Sequence, residues 1–243
     1  MNLYKSIPSL KAEARQRLIG SYPVSIACIL TFYFINMAYS LLPSAVPLSE
    51  ANTAGAFIIR GLLFIFSSIL IYRAKFGVYN FFLQISCRKK LKGNSIYALC
   101  FPLRISRTEF SLATFRSIID CLFVGAFIFI DYYSGKVDST ISIVCLYIVL
   151  AVLALFYIYV EIMFTPLYFL ASDIKGHSAL QLILLSSWLI KGQKMKLIKL
   201  RLSFIPMLLL GLMSFGVGLL YVYPYQFTTM AAFYNDLTNV KSK

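Results

Sequence analysis

The apolar residues of this chain run in long blocks separated by short polar segments. Residues 22–42, 55–72, 108–131, 141–170 and 201–223 form five such blocks. An α-helix needs about 20 apolar residues to cross the hydrocarbon core of a bilayer. Each block therefore reads as a spanning helix. The fourth is longer than a crossing requires, so it tilts, kinks or protrudes. Two shorter segments differ. Residues 6–20 place Ile7, Leu10, Ala14 and Leu18 at helical spacing, with Lys11, Glu13 and Arg15 away from that stripe, and Ser6 or Ser9 as the cap. This pattern predicts an amphipathic helix in the membrane interface, its apolar stripe toward lipid; a solvated cytoplasmic helix is the alternative. Residues 178–190 are apolar but too short to cross, and predict a second interfacial helix.

The connections are less determinate. Residues 73–92 are aromatic and basic, and read as either an extension of the second span or a helix lying in the interface. The tail after residue 223 opens on Pro224, a break, and its helical part is too short to span unless it packs as a partial helix. No repeat or low-complexity tract divides the chain, so residues 1–243 read as one all-α domain, a polytopic transmembrane bundle of about five spans.

Composition strengthens this reading. The chain is 60% hydrophobic and 13% charged, against about 45–50% and about 25% in soluble domains. Lipid solvates the excess. The charge is +14, from 23 Lys+Arg and 9 Asp+Glu. The basic residues cluster between the apolar blocks, so they read as topology signals and anionic-lipid contacts rather than a nucleic-acid surface. Four lie in the first 20 residues, eight in 73–107 and six in 171–201, while loops 43–54 and 132–140 hold none and one. The excess of positive charge inside places the N-terminus and the basic loops in the cytoplasm of a cell-membrane protein. Five spans put the C-terminus outside; a sixth crossing near the tail reverses that. The basic lead before Ala-Tyr-Ser at 38–40 also has the outline of a signal peptide. Its length, its Glu13 and the long apolar block favour an uncleaved first span. Candidate lipid-headgroup contacts are Lys11, Arg15, Arg88, Lys89, Lys90, Lys92, Lys194 and Lys196.

Candidate chemistry is sparse. The five cysteines form no C-x-x-C pair: Cys28, Cys121 and Cys145 fall in apolar blocks and read as small apolar side chains, while Cys87 and Cys100 fall in a basic segment and read as free thiols. His177 is the single histidine and reads as solvent-exposed. No metalloprotease, nucleophile-elbow, Walker or dinucleotide-binding motif is present. The expectation is a non-enzyme with no cofactor and no metal. Four ionisable residues fall inside spans, where they are costly: Arg60, Arg116, Asp120 and Glu161. Arg60 is placed near the outer interface, snorkelling. Arg116 and Asp120 are four apart on one helix. Arg116 and Glu161 fall at about the same depth, about 12–14 Å from the cytoplasmic ends of spans three and four. A buried Arg116–Glu161 bridge with Asp120 as second acceptor follows, either as a structural lock or as part of an ion path. In span five, Ser214 and Gly218 form a small-xxx-small pair suited to close packing within the chain or between copies.

The segment 186–210, with Ser187, Lys191-Gly192, Lys194 and Leu202-Ser203-Phe204, resembles an integral membrane family of Gram-positive bacteria known as domain of unknown function 975, DUF975. Pro224-Tyr225, Phe233-Tyr234 and the opening residues 9–22 carry the same resemblance; Ile205-Pro206 departs from it, where a small residue and an aromatic are expected. The resemblance implies a multi-pass membrane protein and no particular activity. Three function classes remain: an organising or accessory component acting through membrane lipids, protein partners or a homo-oligomer, a small transporter or channel-like subunit, and, third, a membrane enzyme.

Overall fold

The computed structural model describes residues 4–42, 53–87, 106–134, 140–174 and 176–241. Among them there are no strands. The helices are α1 (Ile7–Leu18), α2 (Tyr22–Ser40), α3 (Thr53–Ser86), α4 (Arg107–Ser134), α5 (Thr140–Asp173), α6 (Ala179–Ile190), α7 (Lys194–Leu202), α8 (Ile205–Met213) and α9 (Leu219–Lys241). Among the described residues, four stretches are long and apolar enough to cross a membrane: Tyr22–Ser40, Ile58–Ser86, Arg107–Ile130 and Val144–Asp173. This is an all-helical membrane bundle.

Local chemistry explains several boundaries. The Ser6 hydroxyl accepts from the Ser9 amide and Pro8 sits in the first turn, which together start α1. Ser178 and Gln181 form a reciprocal capping box at the start of α6. The second span does not stop at residue 72. It runs on through the aromatic stretch to Ser86, 34 residues in all, or about 50 Å. Of the two readings of that stretch, the extension is the observed one.

Burial is concentrated at one end of the bundle. The core takes Cys28 and Ile29 from the first half of α2, and Tyr72 to Ile85 from the second half of α3. It takes Leu112 and Ala113 from the start of α4 and Leu167 to Ala171 from the end of α5. Because neighbouring spans run in opposite directions, these segments meet at the same end, where α1, α6 and α7 also pack. The far halves of α4 and α5 stay open: Leu122, Ile128, Val152 and Leu155 are all at least 60% exposed. An apolar surface of that kind is stable only in lipid.

Three expectations need correction. First, 201–223 is not one spanning helix. It is divided among the end of α7, all of α8, a turn at 214–218 and the start of α9. Gly216, with φ 84°, and Phe215, with φ 53°, turn the chain back at the tip. Second, α9 continues through Pro224 and is not a peripheral tail. From Pro224 to Leu237 nearly all of it is buried, including Thr228, Thr229 and Asp236. It packs against α1, α2, α3, α5, α6 and α8, which makes it the centre of the core. Third, the apolar stripe of α1 does not face lipid. Leu10, Ala14 and Leu18 are fully buried, and α1 packs mainly on α9. A neighbouring protein face offers a stripe denser contacts than lipid does.

Candidate functional site

The buried charges on the spans gather into one cluster, and each helix contributes a single face. On α4, Arg116 and Asp120 are one helical turn apart. On α5, Tyr157, Glu161 and Thr165 repeat every four residues. On α3, Tyr72 and Lys75 are three apart.

Arg116 is the centre, with 1% of its side chain exposed. Its Nη2 donates to Glu161 Oε2 at 2.8 Å and lies 3.2 Å from Asp120 Oδ1. Lys75 Nζ donates to the other Glu161 oxygen. The Tyr72 hydroxyl donates to Asp120 Oδ2, and the Tyr157 hydroxyl to Oδ1 at 3.2 Å. Two cations thus face two carboxylates. The rings of Tyr72, Tyr157 and Phe164 lie 5.6, 5.2 and 5.3 Å from the guanidinium carbon, within cation–π range. Lys75 sits 4.8 Å from the Tyr168 ring. Among the described residues, two Arg116 donors, Nε and Nη1, have no hydrogen-bond partner. Below the cluster, Arg201 Nη2 donates to Thr165 Oγ1 at 2.6 Å, tying α7 to α5.

Arg116, Asp120 and Glu161 are therefore together, while Arg60 lies half-buried on α3, twelve residues or about 18 Å along the helix from Tyr72. Lys75 is the charged member that sequence reasoning missed, along with the hydroxyls of Tyr72 and Tyr157. Its sequence signal was the spacing to Tyr72 within a stretch rich in aromatic residues.

A second constellation ties the chain ends together. Asp236 on α9 is 6% exposed. It accepts from the Lys5 backbone amide at 3.0 Å and lies 3.6 Å from Lys196 Nζ. The Tyr234 hydroxyl donates to Asp173 at 3.1 Å, and Asn235 donates to Ser86 at 2.9 Å.

Several candidate headgroup contacts are engaged within the protein. Lys11 Nζ donates to the Ser203 carbonyl at 3.1 Å and sits 4.5 Å from the Phe204 ring. Burial lowers the pKa of Lys11 from its ordinary value. Arg15 lies 5.9 Å from the Tyr225 ring. Lys194 is exposed, at the rim of a groove of about 160 Å³ lined by Met163, Phe164, Leu167, Ile183 and Ile190. Arg88, Lys89, Lys90 and Lys92 lie outside the described residues, as does Cys100; His177 is exposed. The Ser214–Gly218 pair packs inside the chain: Ser214 Oγ accepts from the Gly218 amide at 2.8 Å.

Bundle and cluster together define a helical membrane protein in which Lys75, Arg116, Asp120 and Glu161 pair with one another between the long helices. The sequence matches the family described as "Protein of unknown function (DUF975)" over residues 9–241, and the chain belongs to that family. No curated protein and no solved structure matches it.

Proposed function

We propose that this protein is a multi-pass component of the cell membrane that organises lipids and protein partners and performs no catalysis. Its N-terminus and basic segments lie in the cytoplasm, as the distribution of Lys and Arg argues. The observation that carries the reading is the closure of the buried cluster. Lys75 and Arg116 are matched by Asp120 and Glu161, and aromatic rings cover the guanidinium. Such a cluster locks α3, α4 and α5 in one arrangement. That leaves the basic face as the working surface, with Lys194 at the rim of an apolar groove that suits an acyl chain beneath an anionic headgroup. Purification in mild detergent, followed by mass spectrometry of co-purified lipids and proteins, tests this. Retained anionic phospholipid, reduced by Lys191→Glu/Lys194→Glu, supports it. A lipid complement matching the bulk membrane, with no partner protein, overturns it.

A small transporter is the second reading. It is favoured by the two Arg116 donors without hydrogen-bond partners, because buried unsatisfied donors are uncommon in purely structural sites. Proton or ion flux in proteoliposomes that Glu161→Gln abolishes supports this reading over the first; absence of flux counts against it.

A further inference from the structure

We infer that α8, the turn at 214–218 and the first turns of α9 form a re-entrant hairpin that embeds in the cytoplasmic leaflet alone, leaving both chain ends on one side of the membrane. Both limbs are pinned to the N-terminal segment. Lys11 of α1 holds the Ser203 carbonyl just before α8, and the Lys5 amide, just before the Ser6 cap of α1, holds Asp236 near the end of α9. Where α8 begins, Phe204 meets Tyr225 of α9 with ring centroids 5.3 Å apart. The chain therefore enters and returns at one level.

Length sets the depth. The nine residues of α8 rise about 13–14 Å, close to half of a hydrocarbon core about 30 Å thick. The start of α9 lies along α2: Tyr221 packs against Tyr22 and Tyr223 against Tyr33, with ring centroids 6.3 and 5.4 Å apart, so this limb keeps within the first two thirds of that span. Leu210, Leu212, Met213 and Val217 are at least 60% exposed, and Phe215 at the tip is completely so. The basic residues Lys194, Lys196, Lys199 and Arg201 of α7 directly precede the hairpin, where anionic headgroups lie.

Irregular backbone at such depth must satisfy itself, and the amides of residues 216–220 do. The amides of Gly216, Val217, Leu219 and Leu220 bond to carbonyls within 211–217. The Gly218 amide bonds to Ser214 Oγ, which donates in turn to the Gly211 carbonyl at 2.8 Å. A Cβ at Gly218 would stand 2.8 Å from Gly211 Cα, so the limbs meet through glycine. The occupant of the exposed face is the acyl layer of one leaflet.

The inference rests on the orientation proposed above only for which leaflet is entered. The test uses the full chain in proteoliposomes. Trp188, the single tryptophan, is replaced (Trp188→Phe) and a reporter introduced by Phe215→Trp, with Leu212→Trp as a second probe. Phosphatidylcholine carrying doxyl groups deep in its chains should quench both probes more than shallow labels do. Terminal epitopes in intact cells and inverted vesicles should fall on the same side. Termini on opposite faces would show that the segment crosses, and quenching by aqueous iodide without lipid quenching would place the tip in water; either overturns the inference. Cross-linking of Phe215→Cys copies, with no lipid quenching, would assign the face to a second copy and overturn it equally. Both termini outside would reverse the orientation yet leave the hairpin standing.

Discussion

Arg116 heads the largest side chains that the fold hides, and its position follows from charge. A guanidinium alone in hydrocarbon costs about 2.5–3.5 kcal/mol on insertion scales, and breaking a buried pair costs about 3–5 kcal/mol. Arg116→Leu and Glu161→Leu should each destabilise by that order. Glu161→Leu should be the worse, since it strips Lys75 as well as Arg116. The double variant should recover part of the loss, because Asp120 and Lys75 remain as a compensating pair of charges. Thermal melts in detergent measure this; strictly additive losses would show that the two residues do not interact. At Gly218 the constraint is steric. Gly218→Ala puts a methyl 2.8 Å from Gly211 Cα and Ser214 Oγ, and should cost about 1–3 kcal/mol. A variant as stable as the parent would show that the limbs separate freely.

Among the elements, α1 shows how a stripe chooses its partner. Leu10→Ala should leave a cavity against α9 and cost about 2–5 kcal/mol, releasing α1 to faster hydrogen exchange. If exchange in α1 is unchanged, the stripe is not packed as described. Glu13 links this helix to pH. Partial burial raises its pKa, but Lys5 at 2.8 Å and Arg17 at 3.2 Å lower it further, so the net shift is downward. A carboxylate with a depressed folded pKa adds stability above its unfolded pKa, and that stability is lost as pH falls through the folded value. Protection of α1 should therefore hold above about pH 5 and decline below about pH 4, and Glu13→Gln should flatten that decline. An unaltered pH profile in Glu13→Gln would exclude the carboxylate as its source.

At the scale of the molecule, the buried core shares one end with the basic helices α1 and α7, and the far halves of α4 and α5 are apolar and open. Under the proposed orientation, Cys87, exposed at the end of α3, should react with a membrane-impermeant maleimide only in inverted vesicles. Cysteines introduced at exposed positions in 176–180 should do the same. Labelling of either in intact cells would reverse the topology.

The sequence by itself determined the class of this protein, its first four long apolar helices, the existence of the short helices α1 and α6, and the companions Arg116, Asp120 and Glu161. Those features are written in local spacing: runs long enough for a bilayer, caps one turn before a helix, and charges a turn apart or at matched depth. Only the tertiary structure decided the rest. Residues 201–223 are apolar enough to read as a span, and hydropathy does not register the turn that Ser214 and Gly218 close. Lys75 carries an ordinary basic signature until Glu161 is brought to it from another helix. The polar C-terminal helix reads as a tail, yet Thr228 and Thr229 satisfy their hydroxyls on their own backbone and Asp236 accepts from the Lys5 amide and pairs with the Lys196 charge. Those pairings make it fit for the centre of the core, and two of them join positions more than 200 residues or two helices apart, where no local pattern can announce them.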